Sequence, residues 1–399
     1  KYINLFILFI LLSSCSFKNT GFYKDKLKEL EDEIAKKNSK LVFSERKVFN
    51  KEIDGLLKKK LKPPIQNKNW TQKNLSTSNY VPHLKYDNEG TLLYKSKKLG
   101  KNKFRASDIF FEPIISNNNI FFYDKSGTIY KFSLDKLKLL WKFNFYKKRF
   151  TKIPIKVNLK INGDNLIVSD SLGYIYSLIS DTGKLKWAKN YGIPFQSNLK
   201  IDSGKVLLLN QDNKFYSIFE NNGDLDTSLE TFPSFLKSEK ETNIVLDKDN
   251  NTSYFLTSGG QLYSIDYLTK NLKWIKTLIV GSSGQGAGIF FSSPMVLSNN
   301  KIFFSSSIST FSINKTNGLI NWELPFGTNI RPVVTENYIF LASKNGFFLS
   351  VNAKTGNVIW SKNLFNNKKI KIKKTGNIVS LFLISNKIMA TTSKGYFLF

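Results

Sequence analysis

The chain has one cysteine, one histidine, two methionines and ten prolines in 399 residues. A single cysteine forms no internal disulfide, and one histidine without cysteine partners argues against a zinc site or a catalytic triad. Acidic residues are also few: 30 Asp and Glu stand against 60 Lys and Arg, a formal net charge of +30. That balance suits nucleic acid or anionic lipid as a partner. It equally suits a compositional bias of an AT-rich coding sequence, because Lys, Asn, Ile and Phe abound together while Ala, His and Met are scarce. Long apolar runs are missing too, and the one at residues 2–12 is too short to span a bilayer. Apolar residues at 41% and aromatics at 14% still suffice for a large core.

What is present begins with that short run. Lys1, the apolar residues 2–12 and Ser13-Ser14-Cys15 read as an export signal. Leu12-Ser13-Ser14-Cys15 resembles the lipobox of bacterial lipoproteins, which implies a signal peptide over 1–14, lipidation of Cys15 and cleavage before it. Ser16 follows where inner-membrane retention would favour aspartate, so the resemblance points to the periplasmic face of the outer membrane. No initiator Met is present, and the sequence is read as lacking its first residue or two. Residues 15–69 read as a tether rich in Lys, Glu and Asn. Within it, Leu27, Leu30 and Ile34 share a helical stripe, and Pro63-Pro64 closes it.

From residue 70 the chain repeats itself. Gly127 and Trp141, Gly173 and Trp187, Gly260 and Trp274, and Gly346 and Trp360 are each fourteen residues apart. Ile308 and Trp322 keep the spacing, as do Asn213 and Thr227, where the tryptophan is lost. Tyr94 reads as a degenerate anchor and Gly395 opens a further unit. The anchors thus fall near 94, 141, 187, 227, 274, 322 and 360, with another implied beyond the last residue given. Each unit reads as four short strands: a Pro-led piece such as "EPIIS", an apolar run such as "NLIVSDSLG", an alternating run such as "YIYSLIS", and a last strand bearing the Trp. Four strands every 40–50 residues predict an all-β fold, a β-propeller of eight four-stranded blades over 70–399, the last incomplete in this chain. The strand "TLLYKSKK" is expected to complete the last blade, since an open ring would expose sheet edges. Trp141, Trp187, Trp274, Trp322 and Trp360 are expected to dock one blade on the next. The alternating "KKIKIKK" (368–374) reads as an outer strand whose lysines guard an edge.

These Gly–x–x–x–Trp repeats and the lipobox resemble the BamB family of outer-membrane protein assembly lipoproteins, within the PQQ-like propellers. The segment "NWTQKNLSTSNYVPHL" (69–84) is similar to the Trp-Gln…Asn…His lead-in of α-proteobacterial members. The resemblance implies a non-enzymatic scaffold with no catalytic residue, metal or cofactor. It would act in the β-barrel assembly complex as one copy within a hetero-complex, without nucleic acid. Its implied partners are the barrel-inserting subunit, a BamA-like protein, and nascent outer-membrane proteins, with edge strands and loops offered to extended segments. Two loops match the family's binding loops: 232–242, with Phe235, Leu236 and Lys237, and the Gly-rich 280–294, with Gln285, Ile289 and Phe290. The acidic residues common in the second loop are missing here. Two other readings stay open. A PQQ-dependent dehydrogenase shares the repeat but needs converging oxygens for Ca²⁺, and Asp170, Asp212 and Glu336 are scattered through turns. A generic periplasmic ligand-binding propeller is the third.

Overall fold

In a computed structural model, the described residues are 48–87, 92, 94–97, 99–100, 112–146, 153–232, 237, 240–278, 289–366 and 371–399. Cys15 and the stripe of Leu27, Leu30 and Ile34 lie outside them. Among the described residues seven antiparallel sheets follow one another, six of four strands and the last of three, each a meander in chain order. We number them as blades 1 to 7, spanning 114–143, 157–190, 200–229, 243–277, 296–324, 333–363 and 378–398. This is a β-propeller. The first strands of neighbouring blades touch, so the short starts such as Ile114–Ser116, Val157–Asn162 and Lys200–Asp202 line the axis.

The core lies between blades, not within them. Leu207 and Leu209 of blade 3 meet Ile244 and Phe255 of blade 4. Val206 and Leu208, one position out of phase, meet Ile167 and Ile175 of blade 2. Successive strand residues point to opposite faces, so a sheet clamped on both sides takes apolar or small side chains on both faces. Hence "VLLL" and "LIV" run without polar interruption, and these two strands are buried from their second residue onward.

Each anchor sits on a fourth strand, and four of the five are paired with a serine on the third: Ser177 with Trp187, Ser264 with Trp274, Ser312 with Trp322 and Ser350 with Trp360, while Trp141 faces Lys131. The small partner leaves the space above the sheet to the ring. Four of the indoles then reach the next blade. The N–H groups of Trp141, Trp187, Trp274 and Trp322 donate to the carbonyls of Ser180, Glu220, Lys315 and Ala353 at 3.0–3.2 Å. Three residues after each acceptor stands a glycine, as at Gly183 and Gly223. There φ is +71° and +76°, and a Cβ would come within 2.7 and 2.5 Å of the ring. Blade 3 breaks both halves of the rule: Thr227 replaces the indole, and Lys270 holds the receiving turn of blade 4 at φ 68°. Lys270 pairs with Asp226, beside Thr227, at 3.0 Å. Trp360 packs on Phe340, 6.4 Å between centroids.

Three expectations need correction. The strand around Tyr94 expected to complete the last blade is not found: none of the described residues between 92 and 100 is in a strand. Tyr94 instead stacks on Phe132, 6.0 Å between centroids, and its hydroxyl donates to Leu137 O at 3.3 Å. Leu137 is the residue four before Trp141, so Tyr94 occupies an anchor's place against blade 1 without a strand around it. The described part of "KKIKIKK" is a single helical turn, Ile372–Thr375, closed by Gly376 at φ 84°. A two-residue alternation is too short to define a strand where a glycine turn follows at once. Residues 48–69, read as tether, lie against the propeller. Phe49 N–H donates to Pro325 O, and Ile53 exchanges both backbone hydrogen bonds with Ser361.

The lead-in makes one circuit of the axis. Trp70 pairs with Ile115 of blade 1, and Gln72 with Lys160 of blade 2. Ser76 O accepts from Lys200 of blade 3 at 3.0 Å. Thr77 O and Ser78 O accept from Leu246 and Leu297 of blades 4 and 5. Tyr80 packs into the cluster of blades 5 and 6, and Leu84 bridges to Ile384 of blade 7. Trp70 also meets Phe382 of blade 7 edge-on at 6.0 Å. His83, the sole histidine, accepts Asn386 N–H through Nε2 at 2.8 Å. Its Nδ1 therefore carries the proton to Lys62 O, 2.7 Å away.

Candidate partner-binding face

Both loops singled out in the sequence connect a fourth strand to the next blade's first strand, so they emerge on one face of the propeller. The first leaves Leu225–Leu229 for Asn243–Asp247; the second leaves Leu272–Thr277 for Val296–Ser298. Their described ends meet. Lys240 Nζ stands 3.8 Å over the centroid of Phe291, a cation–π contact. Asn243 Nδ2 donates to Ser292 Oγ at 2.6 Å. Between them opens a small cleft of about 40 Å³, lined by Lys240, Glu241, Leu256, Phe290, Phe291 and Asn329.

The candidate residues divide accordingly. Phe235, Leu236 and Gln285 lie outside the described residues. Lys237 pairs with Asp212 at 2.7 Å. Ile289 is half-buried. Phe290 also lines the cleft, yet its ring packs on the core of blades 4 and 5 and its N–H donates to Ser258 O. Sequence reasoning missed Lys240 and Phe291. The alternation that turns Phe290 inward and leaves its neighbour to the cleft was the available signal.

Beneath the cleft the loop is tied to the lead-in, because Glu241 forms an ion pair with the half-buried Lys73. Burial works against the charge on Lys73, but Glu241 and Glu112 outweigh it and raise its pKa. Deeper on the axis the balance reverses. Burial first, and the like charge of Lys160 second, bring Lys200 down to about 7. Lys160 falls to about 8 by burial and the charge of Lys248, and burial brings Arg331 down to about 10. Lys200 Nζ donates to two lead-in oxygens, Asn79 Oδ1 at 2.6 Å and Ser76 O.

This axis does not suit a calcium–quinone group. Calcium needs six or more converging oxygens, whereas cations and the chain's own peptide gather here. Asp170, Asp212 and Glu336 serve separate turns. Asp170 Oδ1 caps the N–H groups of Leu172 and Tyr174, Asp212 pairs with Lys237, and Glu336 pairs with Lys62 at 3.1 Å. Among the described residues no group of three or more His, Cys, Asp or Glu could hold a metal ion, and no helix is long and apolar enough to cross a membrane.

Comparison with known proteins agrees with the propeller. Over 70% of this chain and 80% of the other, the structure is similar to crystalline BamB from Moraxella catarrhalis, at 17% identity and TM-score 0.54. It is also similar to the quinohemoprotein alcohol dehydrogenase of Comamonas testosteroni, at 9% identity and TM-score 0.49 over 82% and 76% of the two chains. The second likeness is too low to carry an argument. No curated protein matches the sequence. The family described as outer membrane protein assembly factor BamB matches residues 125–362, well over half of the sequence, and the chain belongs to that family.

Proposed function

We propose that this protein is a non-enzymatic scaffold of the outer-membrane β-barrel assembly complex, holding the barrel-inserting subunit on the face where its two long loops meet. The observation that carries the reading is the contact of Lys240 with Phe291, which makes one cleft from two loops of different blades. Apolar walls with a cation at the rim suit an extended segment that brings an aromatic or aliphatic side chain and a carboxylate. The lead-in filling the axis supports a role without catalysis, since the chain's own peptide holds the space a central ligand would need. The lipobox supports anchorage through Cys15 to the periplasmic face of the outer membrane, a two-dimensional confinement that raises the effective concentration of a membrane-bound partner.

The test is co-purification after gentle detergent extraction. The barrel-inserting subunit should accompany the wild-type protein and be lost from Lys240→Glu combined with Phe291→Ala, with the far-UV spectrum unchanged. Retention of the subunit by the double variant would remove the cleft from the interface. Robust dye reduction with alcohols after addition of PQQ and Ca²⁺ would overturn the non-enzymatic reading itself.

A further inference from the structure

The outer edge of blade 6 already carries a strand that does not belong to it. In the fourth strand, Val358–Asn363, Ser361 N–H donates to Ile53 O at 2.9 Å and Ser361 O accepts Ile53 N–H at 3.1 Å. Around this bridge the fit is specific. Ser361 Oγ donates to Lys51 O, Glu52 Oε1 accepts Asn363 N–H at 3.0 Å, and Asp54 pairs with Lys362 at 2.6 Å. Gly55 crosses so close to Ile359 that a Cβ would lie 2.1 Å from its carbonyl oxygen. Phe49 meets Phe347 edge-on at 6.3 Å.

The strap is nevertheless held lightly. Only Phe49, Ile53, Leu57 and Leu61 are half-buried between residues 48 and 62, each separated by three exposed residues. Leu56 is 87% exposed. The Lys362–Asp54 pair is open to solvent on both sides, where such pairs add little. Segments with few buried apolar contacts and solvent-exposed backbone bonds open most readily.

We propose that the edge of blade 6 is a strand-receiving site for an extended, acidic segment of a partner polypeptide, and that residues 49–55 hold it in cis until that segment displaces them. The recognition chemistry is that of the strap: two backbone hydrogen bonds to Ser361, a carboxylate opposite Lys362, a second on Asn363 N–H, and a glycine over Ile359. An excess of cations on the protein draws acidic segments to it. This deepens the scaffold reading and rests on it only for the partner being an extended chain. The site is distinct from the loop cleft, so failure of co-purification would leave it standing.

The probe is a labelled synthetic peptide of residues 48–57, titrated by anisotropy into the full chain. Against wild type the cis strap competes. Against Phe49→Ala/Ile53→Pro, which removes the Ile53 N–H, binding should tighten at least tenfold. Placing valine for Gly55 in the peptide should abolish the gain, and adding Lys362→Glu to that variant, which sets like charges opposite each other, should reduce it. Equal affinity for wild type and released protein, or indifference to Lys362→Glu and to the valine peptide, overturns the proposal. Amide exchange in the wild-type protein reads the same point without a variant. Ile53 and Ser361 should exchange at least a hundredfold faster than Phe340 in the middle of blade 6, and protection equal to Phe340 overturns displacement. A mass that doubles with concentration in the released variant would mean the occupant is a second copy, and would overturn the assignment to a partner.

Discussion

If the indole of one blade demands a glycine on the next, the two positions are one energetic unit, and blade 3 shows what happens when both are given up. Consider Trp187 and Gly223. Truncating a buried tryptophan costs about 3–5 kcal/mol. Trp187 is half-buried, so its packing loss in Trp187→Thr falls toward about 2–3, with about 1 more for the hydrogen bond to Glu220 O. Gly223→Asn adds a Cβ 2.5 Å from the ring at φ +76°. Asparagine tolerates that backbone better than most residues, so overpacking dominates its cost, about 1–3 kcal/mol. In the double variant the ring is gone and the overpacking goes with it. The two changes should therefore cost about 1–2 kcal/mol less together than the sum of each alone, the signature of contacting residues. Asparagine is preferred to lysine because Lys186 stands beside Trp187 where Asp226 stands beside Thr227, and no ion pair could form. Urea unfolding followed by far-UV circular dichroism supplies all three values, provided the slopes agree. Additivity within about 0.5 kcal/mol would refute the claim that the ring is why the turn needs glycine.

Two further outcomes follow from the axis. Lys200 titrates near 7 in the folded protein and near 10.4 when unfolded, so between those values the unfolded chain binds more protons. Stability should then rise with pH from about 7 upward, by at most about 1.4 kcal/mol per unit. Lys200→Met should flatten that rise, and equal slopes in urea midpoints at pH 7, 8 and 9 would acquit Lys200. Asn79 is fully buried and joins Lys200 to the carbonyl of Met295 at 2.8 Å. Asn79→Ala should cost about 2–3 kcal/mol, since it orphans a buried charge and a buried carbonyl, and a loss below about 0.5 in the same assay would show that the lead-in does not brace the axis.

The blades were legible because their physics is periodic. A sheet clamped on both faces writes an unbroken apolar run, as in "VLLL", and an indole lying on a glycine fixes fourteen and four as intervals. The paired loss at Thr227 and Lys270 could have been read as well, had the receiving glycine been assigned to the following blade. The loop cleft was half legible, because position in the repeat pointed to both loops but not to the cross-loop contact of Lys240 with Phe291. What escaped was the segment before the first blade, and for two different reasons. The lead-in touches six blades through the backbone groups of Trp70, Thr71, Thr77, Ser78 and Leu84 and the carbonyl of Ser76, and backbone contacts leave no mark on side-chain patterning. The strap does have a pattern, but a misleading one. Phe49, Ile53, Leu57 and Leu61 recur every four residues as on a helical stripe, while the chain is extended and merely touches down at intervals along the blade edge. Each stretch carries polar or exposed residues that composition assigns to a linker, and each is held in part by backbone groups that every residue possesses. A segment recognised mainly through its backbone can be replaced by another chain that offers the same bonds. That is why the strap, with a single bridge to Ser361, is the exchangeable part of this propeller, and the lead-in, secured in turn by each blade, is not.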